Sequence, residues 1–342
     1  MSALATAVRR GAGVFALDGR GLLVVRGGER VRWLNGMITN DVAKLAPGPD
    51  RSGCHALLLT QIGRIVADLH VLLRSDAFWL ETERETVAPA RARLERLLIA
   101  DDVVLADESD AFARFGIEGP KAPAVVAAAA GDEGLCQLAR HACREARIAD
   151  VDCVAFAWGW SGEPALQLVV PSAGAAVVRE ALGRAGEPLG LVSADPATLE
   201  LLRVEAGVPR YGAELSEEVL PAEARLDDAV SYSKGCYTGQ EIVARMRSRG
   251  NASHLLVGLV LPGDAVPARG AAITSDGRVV GEVTSAALSP AAGAIALGFV
   301  RRGHDALGTR VEVDGLAAEV RELPFVPPSA SCVAPDGARR DA

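Results

Sequence analysis

Lysine is nearly missing from this chain. Of 36 basic residues among 342, only Lys44, Lys121 and Lys234 are lysines, so a lysine inside a motif stands out where arginine is the usual choice. Long apolar runs are missing too. No stretch approaches the roughly 20 residues that span a bilayer. A basic excess is absent: the net charge is −8, against broad non-specific nucleic-acid binding, which needs a phosphate-neutralising surface. Six irregularly spaced cysteines make no disulfide framework in a chain this long. Neither they nor the five histidines form zinc-type pairs, and Cys136, Cys143 and Cys153 are too irregular for a cluster-binding run. No phosphate loop is present, and Gly11–Ala16 fits the dinucleotide fingerprint only loosely, with no strand before it. Arg9 and Arg10 are followed by no apolar segment, so a secretory signal is not expected. A soluble cytoplasmic protein is the expectation.

What is present is a large apolar content, 49% of residues, with 23% charged. A chain of this size divides into two or three domains. Short β-like runs alternate with helical patterns over the first 250 residues. Cys54–Thr60, Arg64–Leu73 and Phe78–Glu81 read as strands, Thr86–Ile99 and Pro196–Ala206 as helices. Two such mixed blocks predict α+β layers, not a doubly wound parallel sheet. From about residue 251 to 325, six short β-runs separated by Pro-Gly, Asp-Gly and Gly turns predict a small barrel. Residues 326–342, rich in proline and serine, predict a disordered tail.

The run from Ser233 to Arg245 carries the most chemistry. Thr238 followed by Glu241 has the spacing of a capping box. It places Cys236 just ahead of a helix N-terminus, where the helix dipole and Lys234 would favour a thiolate. A buried cysteine acting as a small hydrophobe is the plainer alternative. Upstream, Glu205 has the chemistry to accept two parallel hydrogen bonds from an amidine-like edge such as a pterin offers. The alternative is an ordinary surface glutamate. All three tyrosines of the chain, Tyr211, Tyr232 and Tyr237, fall in this region. They are candidates to stack on an aromatic ligand or to form core.

With these residues laid out, Lys234-Gly-Cys-Tyr-Thr-Gly-Gln-Glu241 resembles the signature of the YgfZ-type folate-binding proteins, relatives of the glycine-cleavage T-proteins. Val31–Asp41, Gly116–Pro120, Arg203–Gly207, Tyr211–Leu215, Leu220–Leu226, Gly281–Ser285 and Ala296–Arg301 are similar to the wider superfamily. The resemblance implies two interleaved ferredoxin-like α+β domains within residues 1–250, one sharing about 1–50 with 110–250, the other 51–109 with parts of 110–190. A six-stranded β-barrel at 251–325 completes a ring around a central tetrahydrofolate site. It implies that Glu205, in the Arg-x-Glu-x-Gly motif, grips the pterin, with Arg203, Tyr211, Tyr232 and Tyr237 among the folate contacts. Gly63–Asp68 matches a T-protein strand bearing a catalytic aspartate. Only the second carboxylate of that strand survives, as Asp68, with Ala67 in the first position.

The favoured expectation is a tetrahydrofolate-binding accessory factor that assembles or repairs iron–sulfur enzymes, including tRNA-methylthiolating ones. Cys236 would be its thiolate, with Lys234 as the catalytic neighbour whose charge favours that form. Iron–sulfur client or assembly proteins would be the partners, with no direct nucleic-acid contact and no membrane. The second expectation is a tetrahydrofolate-dependent aminomethyl- or methyltransferase using Asp68 as the electrostatic or acid–base group. A folate-binding scaffold without chemistry is the third.

Overall fold

The computed structural model describes residues 2–250 and 252–329. The chain runs through α1 (Ser2–Arg10), β1 (Ala12–Ala16), β2 (Arg20–Arg26), α2 (Arg30–Met37), β3 (Gly53–Leu59), β4 (Ile65–Leu73), β5 (Ala77–Glu83) and α3 (Arg84–Glu95). It continues through β6 (Val104–Asp107), β7 (Phe112–Glu118), α4 (Ala122–Ala130), β8 (Cys143–Ile148), β9 (Val151–Phe156) and β10 (Ala165–Pro171). Then come α5 (Ala175–Gly186), β11 (Leu191–Ser193), α6 (Pro196–Ala206) and α7 (Gln240–Arg249). The last strands are β12 (His254–Leu261), β13 (Ala272–Ser275), β14 (Arg278–Ser289), β15 (Gly293–Arg301), β16 (Arg310–Val313) and β17 (Leu316–Arg321). No helix among the described residues is long and apolar enough to cross a membrane.

Two open sheets and a closed six-stranded barrel result, the α+β plan expected from the sequence. The first sheet has the order β11-β1-β7-β10-β9-β8, the second β3-β4-β5-β2-β6, and the barrel β12-β15-β14-β13-β16-β17. Strand β1 enters the first sheet and β2 the second. The chain therefore changes sheets at the Asp18-Gly19 turn rather than near residue 50, and the second sheet is built wholly from residues 20–107.

Each sheet has one helix-covered face. Phe115, Ile117, Leu166 and Leu168 pack under α4 and α5 with Val125, Val126, Val178 and Leu182. Ala67, Leu69 and Val71 of β4 pack under α2 and α3 with Trp33, Leu34, Val87 and Leu94. Because strand side chains alternate between faces, the intervening residues point the other way. There the two sheets meet through Leu72, Cys143, Phe156, Trp158, Trp160 and Val169. Ser52 Oγ fastens the sheets together, donating to Cys143 O (2.6 Å) and accepting from Cys143 N (2.8 Å).

Helix α6 starts and stops on clear local chemistry. Asp195 accepts from Thr198 N at 2.7 Å, Pro196 opens the first turn, and Gly207 closes it at φ 69°. The helix seats the barrel. Its Arg203, 1% exposed, donates to Glu214 (2.9 Å), Glu200 (2.6 Å), Val208 O (2.6 Å) and Ser285 Oγ (2.6 Å). Glu214 in turn accepts from Thr284 and Ser285 of β14.

Helix α7 starts differently from the expectation. Gly239, at φ 84°, is its N-cap and no side chain caps it, while Glu241 pairs with Arg245 at 2.7 Å. A Cβ on Gly239 would lie 2.7 Å from Thr60 O. This close approach fixes the left-handed backbone at the cap position and takes the slot that Thr238 would have used. The expected tail begins inside the described residues: Val326 N donates to Glu205 O, and Ser329 to Glu163. Residues 330–342 lie outside them.

Arg203→Met leaves the buried Glu214 without its counter-ion, and such losses cost about 3–5 kcal/mol. Urea unfolding should show a destabilisation of that size, with part of it recovered in Arg203→Met/Glu214→Gln.

Candidate active site between the sheets

The inward face of the second sheet is polar where an ordinary sheet interface is apolar. His55 on β3 stands opposite His70 on β4, and Asp68 stands one inward position away. His55 Nε2 donates a short hydrogen bond to Asp68, and its Nδ1 lies 3.7 Å from Asp228. His141, from the loop before β8, completes a group of three rings. The ring centroids are 5.2 Å apart for His55–His70, 5.5 Å for His55–His141 and 5.6 Å for His70–His141.

Local chemistry places each of these groups. A Cβ on Gly53 would sit 2.1 Å from His141 O, so a glycine at the start of β3 is what lets this loop lie on the strand. Thr39 Oγ1 donates to Ala229 O and accepts from Leu57 N, while Asn40 Nδ2 donates to His55 O and Asp228 O. These bonds hold the short 3-10 turn Asp227–Ala229 beside β3.

Charge is shared unevenly in the group. Burial works against a proton on His55, but Asp68 and Asp228 on either side outweigh it and raise its pKa to about 9. Burial, reinforced by the charge of His55, lowers His70 well below the ordinary histidine value and His141 to about 3. Burial opposes ionisation of Asp228, yet the neighbouring His55 and Arg140 bring it below the usual carboxylate range.

Across the gap, the first sheet offers Trp158 and Trp160, edge-on at 4.4 Å, with Trp158 4.0 Å from His70. Glu118, buried, accepts from Trp160 N and Ser161 N and so fixes this turn. A cavity of about 730 Å³ is lined by Arg140, Trp158, Glu163, Ala206, Val208 and Ser329, among others. That volume lies within the range of small-molecule sites. The cavity touches the histidine group through Arg140 and Trp158. It touches the Glu205 neighbourhood through Glu163 and Ala206.

Glu205 is fully buried rather than a surface glutamate. Its Oε2 accepts from Arg9 Nε (3.1 Å) and Nη2 (2.5 Å), its Oε1 from Ser289 Oγ (2.6 Å), and Arg9 also binds Glu163 at 2.7 Å. A ligand edge reaching Glu205 has to take over contacts now made by Arg9. Lys234 donates to Asn35 O, Ile38 O and Asn40 O at 2.6–2.8 Å. It thereby satisfies carbonyls at the C-terminal end of α2, where a cation is favoured. Burial pulls its pKa down to about 8.

Cys236 is exposed. Tyr237 packs in a cluster with Leu57, Leu59 and Ile65, against which Tyr211 rests, while Tyr232 donates to Asp227 and lies under Arg247. None of Cys236, Lys234 and the three tyrosines lines the 730 Å³ cavity. Its aromatic wall is Trp158, and the Trp158-Gly-Trp160 spacing after a strand was the unused signal in the sequence.

Several inward polar atoms have no hydrogen-bond partner among the described residues: both ring nitrogens of His70, Gln167 Nε2, and Arg114 Nε and Nη2. Buried polar groups are normally paired. None of these groups lines the 730 Å³ cavity; the Trp158 face and the neighbouring Glu205 carboxylate are what suit a flat ligand edged with donors, such as a pterin.

The comparisons with known proteins agree with this architecture. The GCVT N-terminal domain matches residues 2–234, and the glycine cleavage T-protein C-terminal barrel domain matches 255–327. Aminomethyltransferases from Streptomyces avermitilis and Thermus thermophilus are 32% and 33% identical over 93% and 94% of this chain, and over 87% and 89% of those proteins. The crystal structure of glycine cleavage system aminomethyltransferase T from Bartonella henselae superposes with a TM-score of 0.84 at 25% identity, covering 95% of this chain and 89% of that one. The chain belongs to the glycine-cleavage T-protein family. Tetrahydrofolate, the cofactor expected from the sequence, is consistent with that membership.

The expected role in iron–sulfur assembly or repair is corrected by the same relatives. They match nearly the whole chain and bear the name aminomethyltransferase. The second expectation, folate-dependent transfer, is the one they support. Iron–sulfur partners and a link to tRNA modification fall with the first.

His55 carries a pH signature. The folded chain holds its proton up to about 9, whereas the unfolded chain releases it near 6.5. Its contribution to stability is therefore complete below 6.5 and is lost as pH rises through 9. In chelator-treated protein, NMR titration of the imidazole should give a midpoint near 9 that falls toward 6.5 in Asp68→Asn.

Proposed function

We propose that this chain is a cytoplasmic tetrahydrofolate-dependent aminomethyltransferase, which moves a one-carbon unit from an aminomethyl donor to the folate. The observation that carries the reading is the placement of Asp68. It is the carboxylate retained from the T-protein-like strand, and it is hydrogen-bonded to His55, whose ring stacks on His70 beside the cavity-lining Trp158. Ala67, the other candidate position, is sealed under the helices.

Bound tetrahydrofolate supplies the nucleophilic amine that accepts the carbon. The protein's own residues do the rest. Glu205, with Arg9 and Ser289, offers the carboxylate for the pterin edge, and Trp158 gives a flat apolar wall. Asp68 takes the proton that the accepting amine loses, with His55 fixing the orientation of its carboxylate. A carboxylate at that place also stabilises positive charge developing on the one-carbon unit. The resemblance of Lys234–Glu241 to the YgfZ-type motif supports that branch as the finer placement within the family.

Asp68→Asn keeps the shape and the hydrogen bond to His55 but removes the charge. Its kcat for methylene-tetrahydrofolate formation should fall by about 100-fold or more, in the range of lost general acid–base catalysis. Tetrahydrofolate affinity by calorimetry should stay within about threefold of wild type, since the loss falls on the transition state. Turnover at the wild-type rate would remove Asp68 from the chemistry.

A further inference from the structure

His55, His141 and Asp228 each present one ligand atom to a common point, and the three atoms lie within 4.8 Å of one another. The sequence separates them widely, and nothing in an aminomethyl transfer requires them to converge. Two nitrogens and one carboxylate oxygen are the donors that first-row divalent transition ions prefer.

The surroundings resemble a built metal site. His55 is buried, and its Nδ1 has no hydrogen-bond partner among the described residues; the same holds for His141 Nδ1. The opposite nitrogen of His55 donates to Asp68. Ligating histidines are characteristically oriented in this way by a second carboxylate. His141 has a positive φ of 67°, an uncommon backbone state outside glycine that is concentrated at functional positions. Gly53 accommodates the close approach of its carbonyl. On the open side, the Arg140 guanidinium donates to His141 Nε2 at 3.1 Å and lies 3.4 Å from Asp228. An exposed cation thus already bridges two of the three ligands.

From this juxtaposition we propose that His55, His141 and Asp228 form a binding site for a divalent first-row transition ion, with Asp68 as the orienting partner of His55 and Arg140 as the cation the metal displaces. His55 Nδ1 and Asp228 Oδ1 stand 3.7 Å apart, wider than the roughly 3.3 Å edge of a tetrahedron with bonds near 2.0 Å. Asp228, its side chain 48% exposed, is free to close the gap. Three protein ligands leave a fourth position for water or substrate, the pattern of a reactive rather than a structural site. Asp68 keeps its hydrogen bond to His55 with or without the metal, so the inference stands apart from the aminomethyltransferase reading.

The test is a titration of untagged, chelator-treated full-length protein with Co2+, read by its visible d–d absorbance, followed by displacement with Zn2+. One saturable site per chain is expected, and Zn2+ should bleach it. Asp228→Ala, at a half-exposed position, and His141→Ala should each weaken Co2+ affinity by about 100-fold or more, and Asp68→Asn by about 10-fold. Arg140→Ala should tighten it by about fivefold by removing a competing positive charge. No saturable band, or a band unchanged in both Asp228→Ala and His141→Ala, overturns the site. Unchanged or weaker binding in Arg140→Ala overturns the displacement.

Discussion

The alternation of side chains along β4 is the constraint on which the site depends. Adjacent residues of a strand face opposite ways, so Ala67 and Asp68 cannot share an environment. Ala67 lies under α2 and α3 among Trp33, Leu34 and Val87, where an unpaired carboxylate would meet the full penalty of a buried charge. Asp68 faces the other sheet and has His55 as its partner. A one-residue slip would exchange the two. The hydrophobic pattern of Val66-Ala67-Leu69-Val71 under the helices therefore selects which carboxylate position is usable, and helix packing on one face sets the chemistry on the other.

Buried charges hold the parts around that site. Arg203 ties α6 to Glu214 and to the barrel strand β14. Arg9 ties α1 to Glu205 and Glu163, and Ser329 of the final described segment joins the same group. Lys234 fastens the 230–239 loop to the end of α2. Each carries a charge that would be expensive unpaired, so each fixes register between segments distant in sequence. Glu163 of the Arg9 cluster also lines the cavity, which couples the position of the first helix to the shape of the ligand site.

The barrel was legible because its signals are local: short alternating runs between Asp-Gly and Pro-Gly turns. The layering into α+β units followed from the same kind of pattern. The point at which the chain changes sheets was not legible, because the Asp18-Gly19 turn reads like an ordinary hairpin. Nor was the cap of α7, where the close approach of Gly239 to Thr60 overrides the side-chain pattern. At the site, Asp68 and Glu205 stood out through the resemblance to T-proteins, and the scarcity of lysine singled out Lys234 before its three carbonyl partners were known. The histidine group left no trace in the sequence, since His55, His70 and His141 come from separate segments and only sheet pairing joins them. The tyrosines drew attention by clustering in sequence, while the ring nearest the histidines is Trp158, held there by the turn that Glu118 secures.

If the interior between the sheets is a one-carbon transfer site, the carbon itself must be traceable. Incubation of the wild-type protein with tetrahydrofolate and an aminomethyl donor carrying 13C at the transferable position, followed by NMR, tests this directly. The account predicts that the label moves into the folate, with one ammonia released per carbon transferred. A label that stays on the donor at saturating tetrahydrofolate would contradict it.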